Sequence, residues 1–340
     1  MEGGIQVASL RERILGAWYG QMAGDTLGSQ VEFKSAEFLH EHYPGGVRSM
    51  EPSPVFGTLA GQITDDTELA IALGHALIES PDGRYHADLA AKHYRLWLDS
   101  GPFDLGRTIG RALSGIPRWD EEAGTEGLAR AAQRHADKKS QANGALMRHS
   151  ILGIWGYNQS PEDVANVARE DSLLTHPHIV CQDASAVYVA TIATVVREGL
   201  NAQGAYAFAK EFAKQQSLHA DVQTVMEEAA TKAPPWSTVH HGWVLVALHN
   251  AFYQLLHAPS LEEGIVATIM LGHDTDTNAA IAGALLGAVY GFSQMPEPWV
   301  QVLDHCRPAP EPGCFRPRAP IYWPANAQEF LKQLGVLPPV

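Results

Sequence analysis

The sequence has 340 residues, of which 45% are hydrophobic and 18% are charged, and its formal net charge is −14 at pH 7. The apolar fraction is ample for a large core, whereas the acidic balance argues against a nucleic-acid backbone or an anionic membrane as partner, because both attract clustered lysine and arginine. The three cysteines Cys181, Cys306 and Cys314 lack CxxC spacing and an even disulfide count, which favours a reducing cytoplasm. We also expect no signal peptide and no membrane span, since neither pattern is found.

Helical periodicity dominates the chain, and alternating strand patterns are nearly absent. In chain order, apolar spacing predicts helices over 10–28, 64–78, 86–98, 143–157, 161–172, 175–198, 242–256, 275–290 and 326–334. Segments 114–127 and 306–320 are predicted loops, and neither is typical of a domain linker. We therefore predict an all-α fold, a compact multi-helix bundle forming one domain over residues 1–340.

Small residues recur at every fourth position in two of these helices. They are Gly16, Gly20, Gly24 and Gly28 in one, and Ala279, Gly283, Gly287 and Gly291 in the other. Such a row lies on one helix face and lets another backbone come close. Because a glycine costs about 1 kcal/mol in a helix interior, the repetition predicts that both helices are central and tightly packed.

Two helix starts, TDDT at 64–67 and DTDT at 274–277, carry an excess of acids. Helix capping is the simplest interpretation of either one alone, since Glu68 follows Asp65 at capping-box spacing. A cap needs only one side chain, however, and each segment has two carboxylates with flanking hydroxyls. Both interpretations stay open from the local sequence.

The acids would converge if their segments enter the helices as loops, because residues two apart on a regular helix point about 200° away from each other. Four carboxylates brought together would repel and raise one another's pKa, and a divalent cation would remove that conflict. Oxygen ligands favour magnesium or manganese over calcium. Zinc is disfavoured, since no histidine or cysteine set accompanies the acids.

A third polar segment, GDTLGSQVEF at 24–33, contains Asp25 and Glu32. Asp25 is interpreted as structural. Glu32 lies between Val31 and Phe33, and locally it could be an exposed acid in a turn.

Together with ANGALMR at 142–148, LTHPH at 174–178 and GHDTDTNAAIAGALLGAVYG at 272–291, these segments resemble the ADP-ribosylglycohydrolase superfamily, the dinitrogenase-reductase-activating glycohydrolase and ADP-ribosylhydrolase group. The similarity spans roughly residues 11–300, which leaves 301–340 as a C-terminal extension. It implies an all-α bundle around a central cleft with two magnesium or manganese ions.

The resemblance also implies roles for individual residues. The implied metal ligands are Thr64, Asp65, Asp66, Asp274, Asp276 and Thr277, with Asp276 bridging the ions. The implied catalytic residues are Glu32, as ligand or general base, Asp66, and Asp104, which would face a guanidinium group. The implied substrate-binding residues are Glu32, Asp104, Gly106, Ser140, Gln141, Asn143, Gly144, His176 and Trp243, with the 140–144 loop at a diphosphate and Trp243 at an adenine.

The predicted function is a metal-dependent hydrolase that removes ADP-ribose from a modified protein, through the N-glycosidic bond to arginine. One alternative is a binding or immunity protein that blocks an ADP-ribosyltransferase. Another is a hydrolase of serine-linked, nucleic-acid-linked or small-molecule ADP-ribose. The expected partners are the modified protein, ADP-ribose as product and, under the blocking alternative, a transferase.

Other polar residues are interpreted as structural. The histidines, including His86, His93 and the pair at 240–241, are expected at the surface or in packing roles. Cys181 is expected to be a small core side chain. Arg148 could contact a phosphate or form a structural ion pair.

Overall fold

The computed structural model of the chain describes residues 8–122, 124–234 and 240–338. Within these ranges it contains sixteen α-helices and no strand, so the predicted all-α fold is confirmed. The helices are α1 (Leu10–Ser29), α2 (Ala36–His42), α3 (Asp65–Glu79), α4 (Ala87–Asp99), α5 (Arg107–Ser114), α6 (Leu128–His135), α7 (Ser150–Trp155), α8 (Pro161–Ser172), α9 (Ile179–Glu198), α10 (Ala202–Gln215), α11 (Ala220–Glu228), α12 (Val244–His257), α13 (Leu261–Ile269), α14 (Thr275–Tyr290), α15 (Glu297–His305) and α16 (Ala327–Gln333).

Two helix predictions were wrong in extent. The segment 143–157 forms a short 3-10 turn, Leu146–Arg148, before α7 begins. The chain around its start instead pairs with the chain around the start of α12, where Val244 N donates to Gln141 O and Asn143 N donates to Gly242 O. Helix α9 starts four residues later than predicted, because the residue before Pro177 is disfavoured from the helical region.

Seven helices were not predicted, namely α2, α5, α6, α10, α11, α13 and α15. Several of them are short, and polar residues surround their apolar positions, as in RTIGRALS of α5 and LARAAQRH of α6. Their helical structure therefore depends on packing against longer neighbours more than on a local pattern.

The two glycine-bearing helices, α1 and α14, lie antiparallel at the centre with their backbones in contact. A Cβ placed on Gly20 would lie 2.1 Å from the carbonyl oxygen of Gly283, and one on Gly24 would lie 2.1 Å from that of Ala279. The predicted close packing is confirmed. Gly28, at the end of the row, meets the backbone of Asp276, so this packing places the start of α14 beside the end of α1.

Helix α9 is long and apolar enough to cross a membrane by length and composition, with a mean hydropathy of 1.6, but 89% of that window is buried within the protein. Among the described residues it is the one helix with this property. Its apolar surface packs against the surrounding helices, which is typical of a core helix.

The C-terminal segment folds back onto the central helices. The ring of Phe330 in α16 lies 5.2 Å from that of Trp18 in α1, centroid to centroid, and contacts the face of α3 at Gly74. Residue 300, where the sequence resemblance ends, lies inside α15.

Candidate metal centre and substrate cleft

The acids at the starts of α3 and α14 do not cap their helices. Thr64 and Asp274 occupy the two N-cap positions, and neither side chain makes a capping hydrogen bond. Glu68 does not reach back to the helix start, because its carboxylate is bound by Arg318 and Trp97. The capping-box interpretation is therefore wrong, and the acids are left for another use.

Three carboxylates from separate parts of the chain converge at this point. Glu32, Asp274 and Asp276 each offer an oxygen, and these oxygens lie within 4.8 Å of one another. The carboxyls of Asp65 and Asp104 lie within hydrogen-bonding reach of each other beside them. The arrangement is an acidic centre that can bind a metal ion.

The acidic centre contains oxygens with no protein partner. Glu32 Oε2 and Asp66 Oδ1 are buried and accept no hydrogen bond. Among the described residues, no lysine, arginine or histidine forms an ion pair with Glu32, Asp66 or Asp276. Buried carboxylates without partners cost several kcal/mol, and a cation bound by these oxygens would remove that cost.

The electrostatics agree with this interpretation. Burial first, and then repulsion from Asp276, raises the pKa of Glu32 to about 12. Burial and the neighbouring carboxylates also raise the pKa of Asp65, Asp66 and Asp276 well above the ordinary value. A divalent cation would reverse these shifts by stabilising the ionised forms.

Asp25 lies beneath the acidic centre and fastens α1 to the start of α3. Its carboxylate is fully buried and accepts hydrogen bonds from the backbone N–H and the hydroxyl of both Thr64 and Thr67, the shortest being 2.6 Å from Thr67 Oγ1. Burial raises the pKa of Asp25 to about 7, although these bonds oppose the shift. The side chain thus acts as a structural clamp. The Thr64 hydroxyl oxygen also lies 3.0 Å from Asp66 Oδ2, which places that acid beside the clamp.

The acidic centre forms the floor of a cleft of about 280 Å³. The wall includes ten of the predicted site residues, namely Glu32, Asp65, Asp104, Gly106, Asn143, Gly144, His176, Asp274, Asp276 and Thr277. Thr64 and Asp66 do not line the cleft: they are buried at 0% and 1% exposure. The structure therefore places residues from six separated segments around one cavity.

A second, open pocket of about 410 Å³ adjoins the cleft and shares Ala142, His241 and Gly242 with it. Gln141 and Trp243 line this pocket, and the indole Nε1 of Trp243 donates to Gln141 Oε1 at 2.9 Å. Ser140 lines neither cavity, and its hydroxyl lies 3.2 Å from that of Thr108.

Residues 6–318 match the family described as ADP-ribosylglycohydrolase. The chain belongs to the ADP-ribosylglycohydrolase family. The predicted family and the prediction that the chain is an enzyme are thereby confirmed.

Three relatives show how this ADP-ribosylglycohydrolase stands in its family. The chain is 28% identical over 298 residues to the ADP-ribosyl-[dinitrogen reductase] glycohydrolase of Rhodospirillum rubrum, covering 87% of this chain and 92% of the relative. It is 28% identical to the ADP-ribosylhydrolase ARH3 of Homo sapiens, over 86% of this chain and 89% of the relative. It is 26% identical to the ADP-ribosylarginine hydrolase Tri1 of Pseudomonas putida, over 85% of this chain and 74% of the relative.

A solved structure described as an ADP-ribosylglycohydrolase-related protein complex has the same fold. The TM-score is 0.73 with 24% sequence identity, and the match covers 97% of this chain and 98% of that chain.

Sequence reasoning missed some residues of the ADP-ribosylglycohydrolase cleft. His241 was expected in a surface or packing role, but it lines the cleft, stacks on His273 with 5.0 Å between ring centroids, and has a buried Nδ1 without a partner. His86 and His93, in contrast, pair with Asp82 and Glu79 near the surface. No local signal in HHGW separates His241 from these residues.

Asn143 and Arg148 have clear structural partners in the 140–148 segment. Asn143 Nδ2 donates to Asp274 Oδ2 at 2.9 Å, so this side chain orients one of the acids. Arg148 is fully buried and pairs with Asp171 at 2.7 Å. The sequence left Arg148 open as a phosphate contact or as a member of a structural ion pair, and the structure shows the ion pair. The remaining residues that line the cleft are Arg107, Thr108, Ile109, Ala142, Met147 and Gly242.

Proposed function

We propose that this ADP-ribosylglycohydrolase removes ADP-ribose from arginine side chains of modified proteins, with two Mg²⁺ or Mn²⁺ ions in the acidic centre. The observation that carries the proposal is the convergence of Glu32, Asp274 and Asp276 at the floor of the cleft. Protein side chains leave buried oxygens of this centre without partners.

The residues present suit hard divalent cations. Thr64, Asp65, Asp66, Asp274, Asp276 and Thr277 would hold the ions, and all six are oxygen donors. When bound, such ions orient ribose hydroxyls and lower the pKa of water. Asp276 is the strongest candidate for a shared ligand, because its charge acts on the pKa of Glu32, Asp65 and Asp66 alike.

Glu32 and Asp104 are placed for different tasks in the cleft. Glu32 is part of the acidic centre and has one buried oxygen without a protein partner, so it can take a proton from the water that attacks the anomeric carbon. Asp104 is half-buried on the cleft wall and can bind the guanidinium group of a modified arginine through two charged hydrogen bonds.

The shape of the two cavities supports an elongated ligand such as ADP-ribose. The ribose would sit in the cleft over the acidic centre, and the adenine would lie on Trp243 in the adjoining pocket. The backbone N–H of Gly144, in the cleft wall, can bind a diphosphate without lysine, whereas the N–H of Asn143 already donates to Gly242 O.

The relatives support arginine as the linked residue. The Tri1 protein of Pseudomonas putida is named an ADP-ribosylarginine hydrolase, and the Rhodospirillum rubrum relative is named for ADP-ribosylated dinitrogen reductase. Asp104 adds a physical reason, since a carboxylate recognises a guanidinium group better than a serine hydroxyl.

The test is release of ADP-ribose from a protein modified on arginine, measured by liquid chromatography with Mg²⁺ or Mn²⁺ present. We expect release that a chelator abolishes and that Asp276→Asn lowers at least 100-fold. Asp82→Asn, at an exposed position, is the matched control and keeps full activity. Parallel assays with serine-linked and nucleic-acid-linked ADP-ribose decide the linkage. No release from any substrate contradicts the proposed function.

A further inference from the structure

A buried polar network behind the cleft has no part in the chemistry proposed above. Arg148, 0% exposed, is its centre. The guanidinium donates to Asp171 Oδ2 from Nε at 2.9 Å and from Nη2 at 2.7 Å. From Nη1 it donates to Gly144 O at 3.0 Å and to Thr175 Oγ1 at 2.9 Å.

Asp171 holds Arg148 in a single orientation. Its fully buried carboxylate also accepts hydrogen bonds from the hydroxyls of Tyr85 and Tyr94 and pairs with His149 Nε2 at 2.8 Å. A buried ion pair of this kind is often no more stabilising than apolar side chains of the same volume. The hydrogen bonds of Arg148 to Gly144 and Thr175, in two segments that form the cleft wall, give the network a further role.

The network determines which nitrogen of His176 carries the proton. A guanidinium group can only donate, so Thr175 Oγ1 is the acceptor of the bond from Arg148. The same oxygen lies 2.9 Å from His176 Nδ1. Among the described residues, Nδ1 is the one acceptor within reach of the Thr175 hydroxyl hydrogen. The hydroxyl therefore donates to Nδ1, and the ring proton is on Nε2.

The protonated nitrogen lies at the cleft wall. The His176 side chain is 0% exposed, lines the cleft, and its Nε2 has no partner. It lies against Gly144, where an added Cβ would approach within 3.2 Å of Nε2. Burial, followed by the nearby charge of Arg148, lowers the pKa of His176 to about 3, so the ring is neutral at pH 7.

We propose that Arg148, held by Asp171, is a positioning residue that acts through Thr175 to keep His176 as the Nε2–H tautomer, a neutral donor for an oxygen of the bound ligand. That the ligand is ADP-ribose rests on the proposed function. The same guanidinium also holds the Gly144 carbonyl, so the loop that packs against His176 is fixed to the same group.

The tautomer is tested by nuclear magnetic resonance on protein with ¹⁵N-labelled histidine, with His176→Gln assigning the signals. We expect the His176 Nε2 shift of a protonated nitrogen and the Nδ1 shift of an unprotonated one. Thr175→Val keeps the shape and removes the hydroxyl, so the preference for Nε2–H should weaken. Thr175→Ser should restore it. A wild-type ring protonated on Nδ1 overturns the proposal, and this result requires neither ligand nor activity.

Ligand binding is measured separately by calorimetry with ADP-ribose and Mg²⁺. We expect Thr175→Val to weaken binding about 10-fold and Thr175→Ser to bind as the wild type does. Thr191→Val is the matched control, because Thr191 is equally buried but donates to Val187 O within α9. Equal affinity of Thr175→Val and the wild type overturns the positioning role. A wild type that binds no ADP-ribose contradicts the proposed function instead, and the tautomer result then decides the network by itself.

Discussion

Arg318 and Glu68 form a buried two-point ion pair that joins the C-terminal segment to the first turn of α3. Arg318 Nε lies 2.7 Å from Glu68 Oε1, and Nη2 lies 2.7 Å from Oε2. The indole of Trp97 donates to the same carboxylate at 2.7 Å. Since Asp65 and Asp66 begin the same helix, this pair also supports the acidic centre.

Replacing Arg318 with methionine should therefore destabilise the protein by about 3–5 kcal/mol, because it leaves the carboxylate of Glu68 buried without a cation. Chemical denaturation followed by circular dichroism measures the loss. Glu68→Gln in the same chain should recover part of it, since a neutral amide tolerates burial better. Arg48→Met, which removes partly exposed pairs with Glu262 and Glu263, is the control and should cost less than about 1 kcal/mol. Equal losses at both arginines would refute the structural role of Arg318.

Asp276→Asn should lower the affinity for Mn²⁺ at least 10-fold, because Asp276 faces the other acids of the centre. Asp25→Asn should change affinity less and stability more, by about 1–3 kcal/mol, since an amide cannot accept all the bonds that Asp25 receives from Thr64 and Thr67. Calorimetric titration and thermal unfolding of both variants separate the two effects. Equal losses of Mn²⁺ affinity would show that the distinction is wrong.

Gly20→Ala should destabilise the protein by about 3 kcal/mol or more, because its Cβ would overlap the carbonyl oxygen of Gly283 at 2.1 Å and force α1 and α14 apart. Gly204→Ala in α10 is the matched helical control, where the nearest atom, Asn201 Oδ1, lies 3.3 Å away. It should be neutral or stabilising by about 0.5–1 kcal/mol. Thermal melts compare the two, and a Gly20 variant as stable as the Gly204 variant would contradict the packing.

His75 should make the protein sensitive to acid. Burial, followed by the charge of His93, lowers the pKa of His75 to about 4. Between pH 6.5 and 4 the unfolded chain therefore binds a proton that the folded protein does not, so stability is full above pH 6.5 and falls as the pH drops.

The corresponding variant, His75→Gln, should lose less stability than the wild type between pH 7 and pH 5, by a difference on the order of 1 kcal/mol. Urea unfolding at both pH values measures it. The exposed His305 supplies the control, and His305→Gln should lose as much as the wild type does. A His75 variant with unchanged acid sensitivity would rule out this contribution.

Local patterns in the sequence predicted most of the longer helices and the close packing of the central ones. Helices α8 and α14 begin and end at the predicted residues. The glycine rows of α1 and α14 predicted that another backbone packs closely against each helix, because a repeat of four residues marks one helix face wherever the helix lies. The structure shows that the two helices are each other's partner. The excess of acids at 64–67 and 274–277 was also visible locally, since a helix start can use only a few of them as caps.

The partners of those acids were decided by the tertiary structure. From local sequence, Asp66 could cap its helix or bind a cation. The residues that pack near it decide between these roles, and they are Glu32 and the start of α14. The same reason accounts for His241 in the cleft wall. Burial and like charge act through space between residues far apart in sequence, so the chemistry of the site is determined only once α1, α3 and α14 are packed together.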